Sequence, residues 1–191
     1  MNMSIRAVLL GAVLAVGAAM PAAAQDVSLG YQFQRLSGGG ESENLPMGFN
    51  VDASGPFGSG NLSVVGQFDW SRKTASDSSA GVNSSGSVTV SLFGGGVRWS
   101  GMSNPKATSF VQGLIGVARS KFSLSCEVAG VNFCAGFDES TTDMAIQIGG
   151  GVAVPLNDKA SVVGQVDFRR LFTEGEGTNS IRFVGGVRIK L

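Results

Sequence analysis

The groups in this sequence that could do chemistry are carboxylates, guanidinium groups and two cysteines, because the chain has no histidine. Without an imidazole, the Ser–His and Asp–His pairs that hydrolyse acyl bonds are unavailable. Asp69 and Asp167 could in principle serve as an acid–base pair, but an ion network with buried arginines is the favoured interpretation. We therefore predict no catalytic residue and no enzymatic activity.

Motifs for cofactors are also missing from the sequence. The glycine runs at 38–40 and 94–96 are not followed by the G-K-[ST] that completes a phosphate-binding loop. Two cysteines without histidine cannot supply the four ligands of a structural zinc site. The 14 basic and 14 acidic side chains balance, whereas nucleic acid binding needs a basic patch. The sequence predicts no cofactor, no metal and no nucleic acid partner.

The N-terminus has the layout of a secretory signal. Arg6 precedes an uncharged apolar run, and Ala22-Ala23-Ala24 supplies small residues for cleavage before Gln25. A retained membrane helix is the alternative, since the run is just long enough to span a bilayer. We predict a signal peptide over 1–24 and one mature domain over 25–191.

The elements that position the charged groups are strands, because the dominant period of the mature sequence is two. Val27, Leu29, Tyr31 and Phe33 alternate with polar or small residues, which puts one set on each face of a strand. In the fourth strand the apolar parity switches, which predicts a bulge near Gly94–Gly96, and in the fifth neither face is preferred. The eight predicted strands lie at about 27–34, 47–54, 62–71, 87–99, 108–122, 141–154, 160–172 and 180–191.

The predicted connections alternate in length. Short ones lie at 55–60, 100–107 and 155–159. Such alternation is typical of an up-and-down meander with loops at one rim and turns at the other. The long polar connections are predicted at 37–46, 73–86, 123–140 and 173–179.

An internal repeat lies within this pattern. Residues 63–70 (SVVGQFDW) match residues 161–168 (SVVGQVDF), and the glycine-rich 93–98 (FGGGVR) matches 183–188 (FVGGVR). Two four-stranded halves would explain it, and so would one hairpin requirement met twice.

Alternation alone leaves open whether the apolar face lines a soluble, lipocalin-like barrel or meets lipid. Charged residues are only 15% of the chain, against about 25% in soluble proteins. Tyr31, Trp70, Trp99 and Phe168 share the apolar parity, as the aromatic girdles of a membrane barrel do. We therefore predict an all-β fold, an eight-stranded antiparallel up-and-down transmembrane β-barrel. Charges of both signs would then pair inside it, and we assign this network to Asp69, Asp167, Arg98, Arg182 and Arg188.

Export would place the two cysteines in an oxidising compartment. Cys126 and Cys134 lie eight positions apart, and a disulfide between them is predicted in preference to two free thiols. The surrounding 123–140 segment is unusually apolar for a loop, with Phe133 and Phe137 among its residues. We expect it to cap the barrel mouth, the alternative being an adhesive tip.

These features together resemble the small outer-membrane β-barrel superfamily, which includes OmpA/OmpX-type barrels and opacity-like surface proteins of the porin family. The resemblance covers about 26–191 and rests on the alternating strands, the repeated G-G-V-[RA] segments and the terminal strand FVGGVRIKL (183–191). It implies an outer-membrane location, lipid as a partner, and recognition of the terminal strand by the barrel-assembly machinery. Members usually end on an aromatic residue, whereas this chain ends on Leu191.

The predicted function is that of a structural or surface-exposed outer-membrane barrel protein, monomeric and non-catalytic. The alternatives are a narrow passive pore for small solutes and a soluble ligand-binding barrel.

Overall fold

A computed structural model of the protein describes residues 26–38, 40–58, 60–79, 82–104, 106–128, 131–132, 137–173 and 177–191. These residues form ten strands: β1 (Asp26–Gly38), β2 (Glu41–Leu45), β3 (Met47–Pro56), β4 (Leu62–Ser79), β5 (Val82–Asn104), β6 (Ala107–Val128), β7 (Val131–Asn132), β8 (Phe137–Pro155), β9 (Ala160–Phe172) and β10 (Gly177–Lys190). No helix among the described residues is long and apolar enough to cross a membrane.

Eight of these strands close into a barrel. β1, β3, β4, β5, β6, β8, β9 and β10 pair antiparallel in that order, and β10 pairs back with β1 from Asp26↔Lys190 to Ser37↔Asn179. β2 extends the ladder of β3 along β1, and β7 forms two pairs with the end of β6. Closure leaves no strand edge inside the barrel wall. The predicted eight-stranded antiparallel barrel is confirmed.

The two faces of the wall are inverted relative to a soluble protein. Ile115 and Ile148 point outward with 65% and 64% of their surface exposed, whereas Asp69, Arg169 and Arg182 are fully buried. Tyr31, Trp99 and Phe168 also lie on the outward face. Apolar side chains outside and charges inside are the arrangement of a barrel in lipid, so the soluble-barrel alternative is wrong.

The predicted bulge near Gly94–Gly96 is also wrong. β5 keeps one register with β4 and with β6 across these glycines, and its only irregularity among the described residues lies between Ser100 and Ser103. The parity switch arises because Val90 and Leu92 point inward while Phe93 and Val97 point outward. Apolar residues therefore line part of the interior as well.

The predicted long loops are largely strand. β4 continues to Ser79, β5 begins at Val82, and β6 runs to Val128. The ladder needs only backbone N–H and C=O groups, so polar Ser, Thr and Lys side chains do not end it once both faces are in water. The sequence pattern revealed where the apolar faces end, and not where the strands end.

Two apolar clusters occupy the interior at different heights. One, near the loop end, contains Leu92, Ala118, Ala145 and Leu171, with Leu36 packed against it. The other, near the turn end, contains Phe110, Ala153 and Val163. The charged groups lie between and beside these clusters.

Candidate functional site in the barrel interior

The central cluster of the interior is built on Asp69, which projects from β4. Arg169 on β9 donates from Nη1 and Nη2 to its two carboxylate oxygens at 3.1 and 2.7 Å. Arg182 on β10 donates to Oδ2 at 3.2 Å, and Gln67 donates to the same oxygen at 2.9 Å. A two-pronged guanidinium–carboxylate contact is the strongest kind of charge-assisted hydrogen bond. Asp69 therefore joins β4 to β9 and β10 across the lumen.

Arg182 connects this central cluster to Asp167, which corresponds to Asp69 in the second copy of the repeat. Its Nε and Nη2 donate to Asp167 Oδ2 at 2.9 and 2.5 Å, while Nη1 and Nη2 donate to Gln32 and Gln67. Gln165 completes the surroundings of Asp167, since its amide donates to both carboxylate oxygens. Two aspartates and two arginines neutralise each other here, which removes the large cost of an unpaired buried charge.

A separate cluster near the turn end contains Arg98, the second of the three predicted arginines. Arg98 on β5 donates to Asp52 on β3 at 3.0 Å and to Gln112 on β6 at 2.8 and 3.0 Å. Its guanidinium also lies 4.8 Å from the centre of the Phe110 ring. Arg98 and Asp52 are 2% and 3% exposed, so the pair is held away from water.

Arg188, the third predicted arginine, is not ion-paired with any described carboxylate. It donates to Ser28 at 3.1 Å and lies 4.9 Å from the same Phe110 ring. One of its terminal nitrogens, Nη2, is buried without a hydrogen-bond partner, as is Nη1 of Arg98. The structure thus brings Asp69, Asp167 and Arg182 into one cluster and places Arg98 and Arg188 in another.

The sequence assignment of the network omitted several groups that complete it. Arg169 and Asp52 lie on the polar, inward parity of their strands but were not assigned to the network. Gln147 accepts hydrogen bonds from Arg169 at 2.7 and 3.1 Å and exchanges others with Gln67. On most strands the glutamines alternate with glycines or apolar residues. This alternation is the sequence signal that could have placed their side chains in the network.

The two copies of the repeat lie on opposite sides of this interior. Counting around the closed sheet, β4 and β5 are the third and fourth strands, and β9 and β10 are the seventh and eighth. The paired residues correspond, since Ser63 faces Arg98 as Ser161 faces Arg188. This placement fits the explanation by two four-stranded halves.

The predicted disulfide falls partly outside the described residues. Cys126 lies on β6 and pairs in register with Ser84, whereas Cys134 and Phe133 are outside the described ranges. The disulfide and the cap therefore stay predictions.

Among the residues that the structure describes, no group of three or more His, Cys, Asp or Glu side chains could hold a metal ion.

Comparison with known proteins agrees with the fold and the inverted faces. The sequence profile of the outer membrane protein beta-barrel domain matches residues 8–187. The chain belongs to this outer-membrane β-barrel family. An outer-membrane location follows from the family. A comparison with curated protein sequences gave no match.

Solved structures show the same architecture in other proteins. Neisserial surface protein A superposes with a TM-score of 0.66 at 11% identity, over 87% of this chain and 96% of that chain. Ail, the attachment invasion locus protein of Yersinia pestis, crystallised with the heparin analogue sucrose octasulfate, gives a TM-score of 0.55 at 18% identity, over 85% and 96%. At these identities the likeness concerns the fold alone.

Proposed function

We propose that this protein is a non-catalytic, surface-exposed outer-membrane barrel whose interior is closed to solutes. The observation that carries the proposal is the filling of the lumen by the two ion clusters and the two apolar clusters. A cavity beside Asn50 and Asp52 has a volume of about 10 Å³, which is room for about one water molecule.

The inward-facing glycines support a closed interior over a narrow pore. A Cβ added at Gly96 would collide with the backbone of Gly113 and Leu114, and one added at Gly149 would collide with Asp167. These glycines allow neighbouring strands and side chains to approach closely. The space beside them is therefore occupied by protein and does not form a continuous channel.

The state of the carboxylates supports the absence of catalysis. Asp69 accepts hydrogen bonds from Arg169, Arg182 and Gln67 and is fully buried. A general base must come within hydrogen-bond reach of the proton that it removes, and donors of the protein already occupy this position. The same holds for Asp167, which Arg182 and Gln165 surround.

Planar-bilayer recording tests the closed interior. The refolded mature chain is expected to insert without producing steady channels, and a general porin in the same bilayers serves as the positive control. Stable currents of porin size from this chain would contradict the proposal.

Surface exposure is supported by a part of the sheet that extends beyond the barrel. Beyond the pairs Met47↔Arg72 and Met144↔Phe172, the β1–β2 ladder ends at Gly38↔Glu41, whereas β4, β5, β6 and β8 continue as a four-stranded sheet. We call this extension the outer wall; it comprises residues 73–79, 82–88, 122–128 and 137–143. Barrels of this class keep short turns in the periplasm and long segments outside the cell, so the outer wall would face the exterior and meet partners.

Labelling of intact cells tests this orientation. In a Cys126→Ser/Cys134→Ser background, Ser76→Cys on the outer wall should react with a membrane-impermeant maleimide. Asp158→Cys, in a turn at the opposite end, is the matched control and should react only after lysis. The reverse pattern would overturn the orientation.

Recognition of β10 by the assembly machinery and the monomeric state are part of the same proposal.

A further inference from the structure

The outward-facing side chains change character at the loop end of the barrel. Four strands carry an arginine as their first polar outward residue above the apolar surface: Arg35 on β1, Arg72 on β4, Arg119 on β6 and Arg170 on β9. All four are exposed, and we call them the arginine rim. At the same level β5, β8 and β10 carry Ser91, Thr142 and Asn179, and β2 carries Asn44 beside Arg35, so this row of described residues contains no acidic side chain.

The turn end of the same surface has a different composition. The last outward positions there are uncharged: Val27, Gly55, Leu62, Val154, Ala160 and Ile189. Lys159 lies in a turn beside Asp158, and Lys190 on β10 pairs in register with Asp26. A row of unopposed cations therefore borders the apolar surface at one end only.

Carboxylates do not neutralise the rim within the described part of the chain. Arg72 and Arg119 make no hydrogen bond or ion pair with any described residue, Arg35 donates to the Ser42 hydroxyl at 3.1 Å, and Arg170 lies 5.9 Å from the Phe172 ring centre. Farther along β6, Lys121 is 3.9 Å from Asp138, and both side chains are more than half exposed. The four guanidinium groups keep most of their donors available.

Two pairs of rim arginines each flank one strand: Arg35 and Arg170 flank β10, and Arg72 and Arg119 flank β5. Arg72 pairs in register with Thr89 on β5, and Arg119 pairs with Ser91, the next outward residue of the same strand. β4 and β6 are two strand spacings apart, about 10 Å, which two long arginine side chains can bridge around one phosphate group. Trp70 lies in the same row as Ser91 and Arg119, at the top of the apolar surface.

We propose that the arginine rim binds anionic, phosphate-bearing lipid headgroups in the leaflet at the loop end. Guanidinium groups match phosphate oxygens with paired hydrogen bonds, and basic residues at a membrane surface attract anionic lipid. The apolar surface directly below the rim receives the acyl chains, which favours a lipid over free phosphate. The cellular leaflet involved depends on the proposed orientation, but the binding itself does not.

The two tryptophans of the chain allow a site-resolved test, because Trp70 lies at the rim and Trp99 near the turn end. The full mature chain is reconstituted in phosphatidylcholine vesicles that contain a small fraction of lipid brominated near the headgroup end of its acyl chains. The brominated lipid is either phosphatidylglycerol or phosphatidylcholine. A Trp99→Phe variant reports Trp70 alone, and a Trp70→Phe variant reports Trp99 alone.

Quenching of Trp70 fluorescence should show about a fivefold preference for the anionic lipid, since one basic group near the surface contributes a factor of this order. Quenching of Trp99 should show no preference. High salt should weaken the preference, and millimolar inorganic phosphate should leave most of it. Arg72→Gln/Arg119→Gln should abolish it, whereas Lys159→Gln/Lys190→Gln, which removes the same charge at the turn end, should retain it.

Equal quenching of Trp70 by both lipids, or a preference that survives Arg72→Gln/Arg119→Gln, would overturn the proposal. Full displacement by inorganic phosphate would instead identify a general anion site and also overturn lipid binding. A heat-dependent gel shift of each variant verifies that the barrel is folded. The conductance and labelling experiments are unaffected by either result, so the two proposals fail separately.

Discussion

The β4–β5 and β9–β10 hairpins carry the same sequence repeat and build different halves of the interior. In both, a glutamine donates to the aspartate two residues later, Gln67 to Asp69 at 2.9 Å and Gln165 to Asp167 at 2.8 Å. Outward glycines also pair identically, Gly66 with Gly95 and Gly164 with Gly185. Repeated sequence therefore reproduces local geometry on opposite sides of the barrel.

The two hairpins differ in the residues beyond the repeat. Ser71 and Leu92 in the first hairpin correspond to Arg169 and Arg182 in the second. The β9–β10 hairpin thus supplies both guanidinium groups of the central cluster, and Leu92 joins an apolar cluster instead. Opposite hairpins share one narrow lumen, and one pair of arginines already neutralises the two aspartates at its centre. Contacts within a hairpin are the same in both copies of the repeat. Contacts across the lumen are made by residues at which the two copies differ.

The largest expected difference between the halves is at the two aspartates. Asp69→Ala should lower the free energy of unfolding by about 3–5 kcal/mol, because it leaves Arg169 buried without a carboxylate. Asp167→Ala should cost less, since Arg182 retains Asp69 at 3.2 Å. Urea unfolding of both variants in lipid vesicles measures the difference. Equal losses, or a larger loss for Asp167→Ala, would contradict the assigned pairing.

The repeat-equivalent arginines should differ next. Arg98→Leu should cost about 3 kcal/mol, because it leaves Asp52 buried without its cation. Arg188→Leu should change stability by about 1 kcal/mol or less, since it loses one hydrogen bond to Ser28 and removes a nitrogen without a partner. The same unfolding assay compares them. Similar losses in the two variants would mean that the position in the repeat, and not the ion pair, determines the free energy of unfolding.

Two glycines provide the smallest comparison. Gly149→Ala should destabilise the barrel by about 1–3 kcal/mol, because the added methyl group would displace the Asp167 side chain. Gly164→Ala on the outward face is the control, as a Cβ there meets nothing within 4 Å, and its effect should stay within about 0.5 kcal/mol. A neutral Gly149→Ala would show that the interior is looser than the structure indicates.

Prediction from sequence succeeded where the neighbouring residues on the same strand show which face of that strand is polar. The inward parity of Asp69, Asp167 and Arg182 was evident because their neighbours Phe68, Phe168 and Phe183 are apolar. It failed at β5 and was undecided at β6, where apolar residues occupy both faces. Leu92 and Phe110 face an interior that is itself partly apolar, and the alternation rule assumes that one face is polar throughout.

The sequence by itself determined the closed antiparallel barrel and which face of most strands meets lipid, because a strand's period of two assigns faces locally. Only the tertiary structure decided which charges meet. The pairing of Arg169 with Asp69, or of Arg98 with Asp52, depends on strand order, tilt and register around the whole barrel. Those quantities are fixed when β10 closes on β1, and no local stretch of sequence contains them.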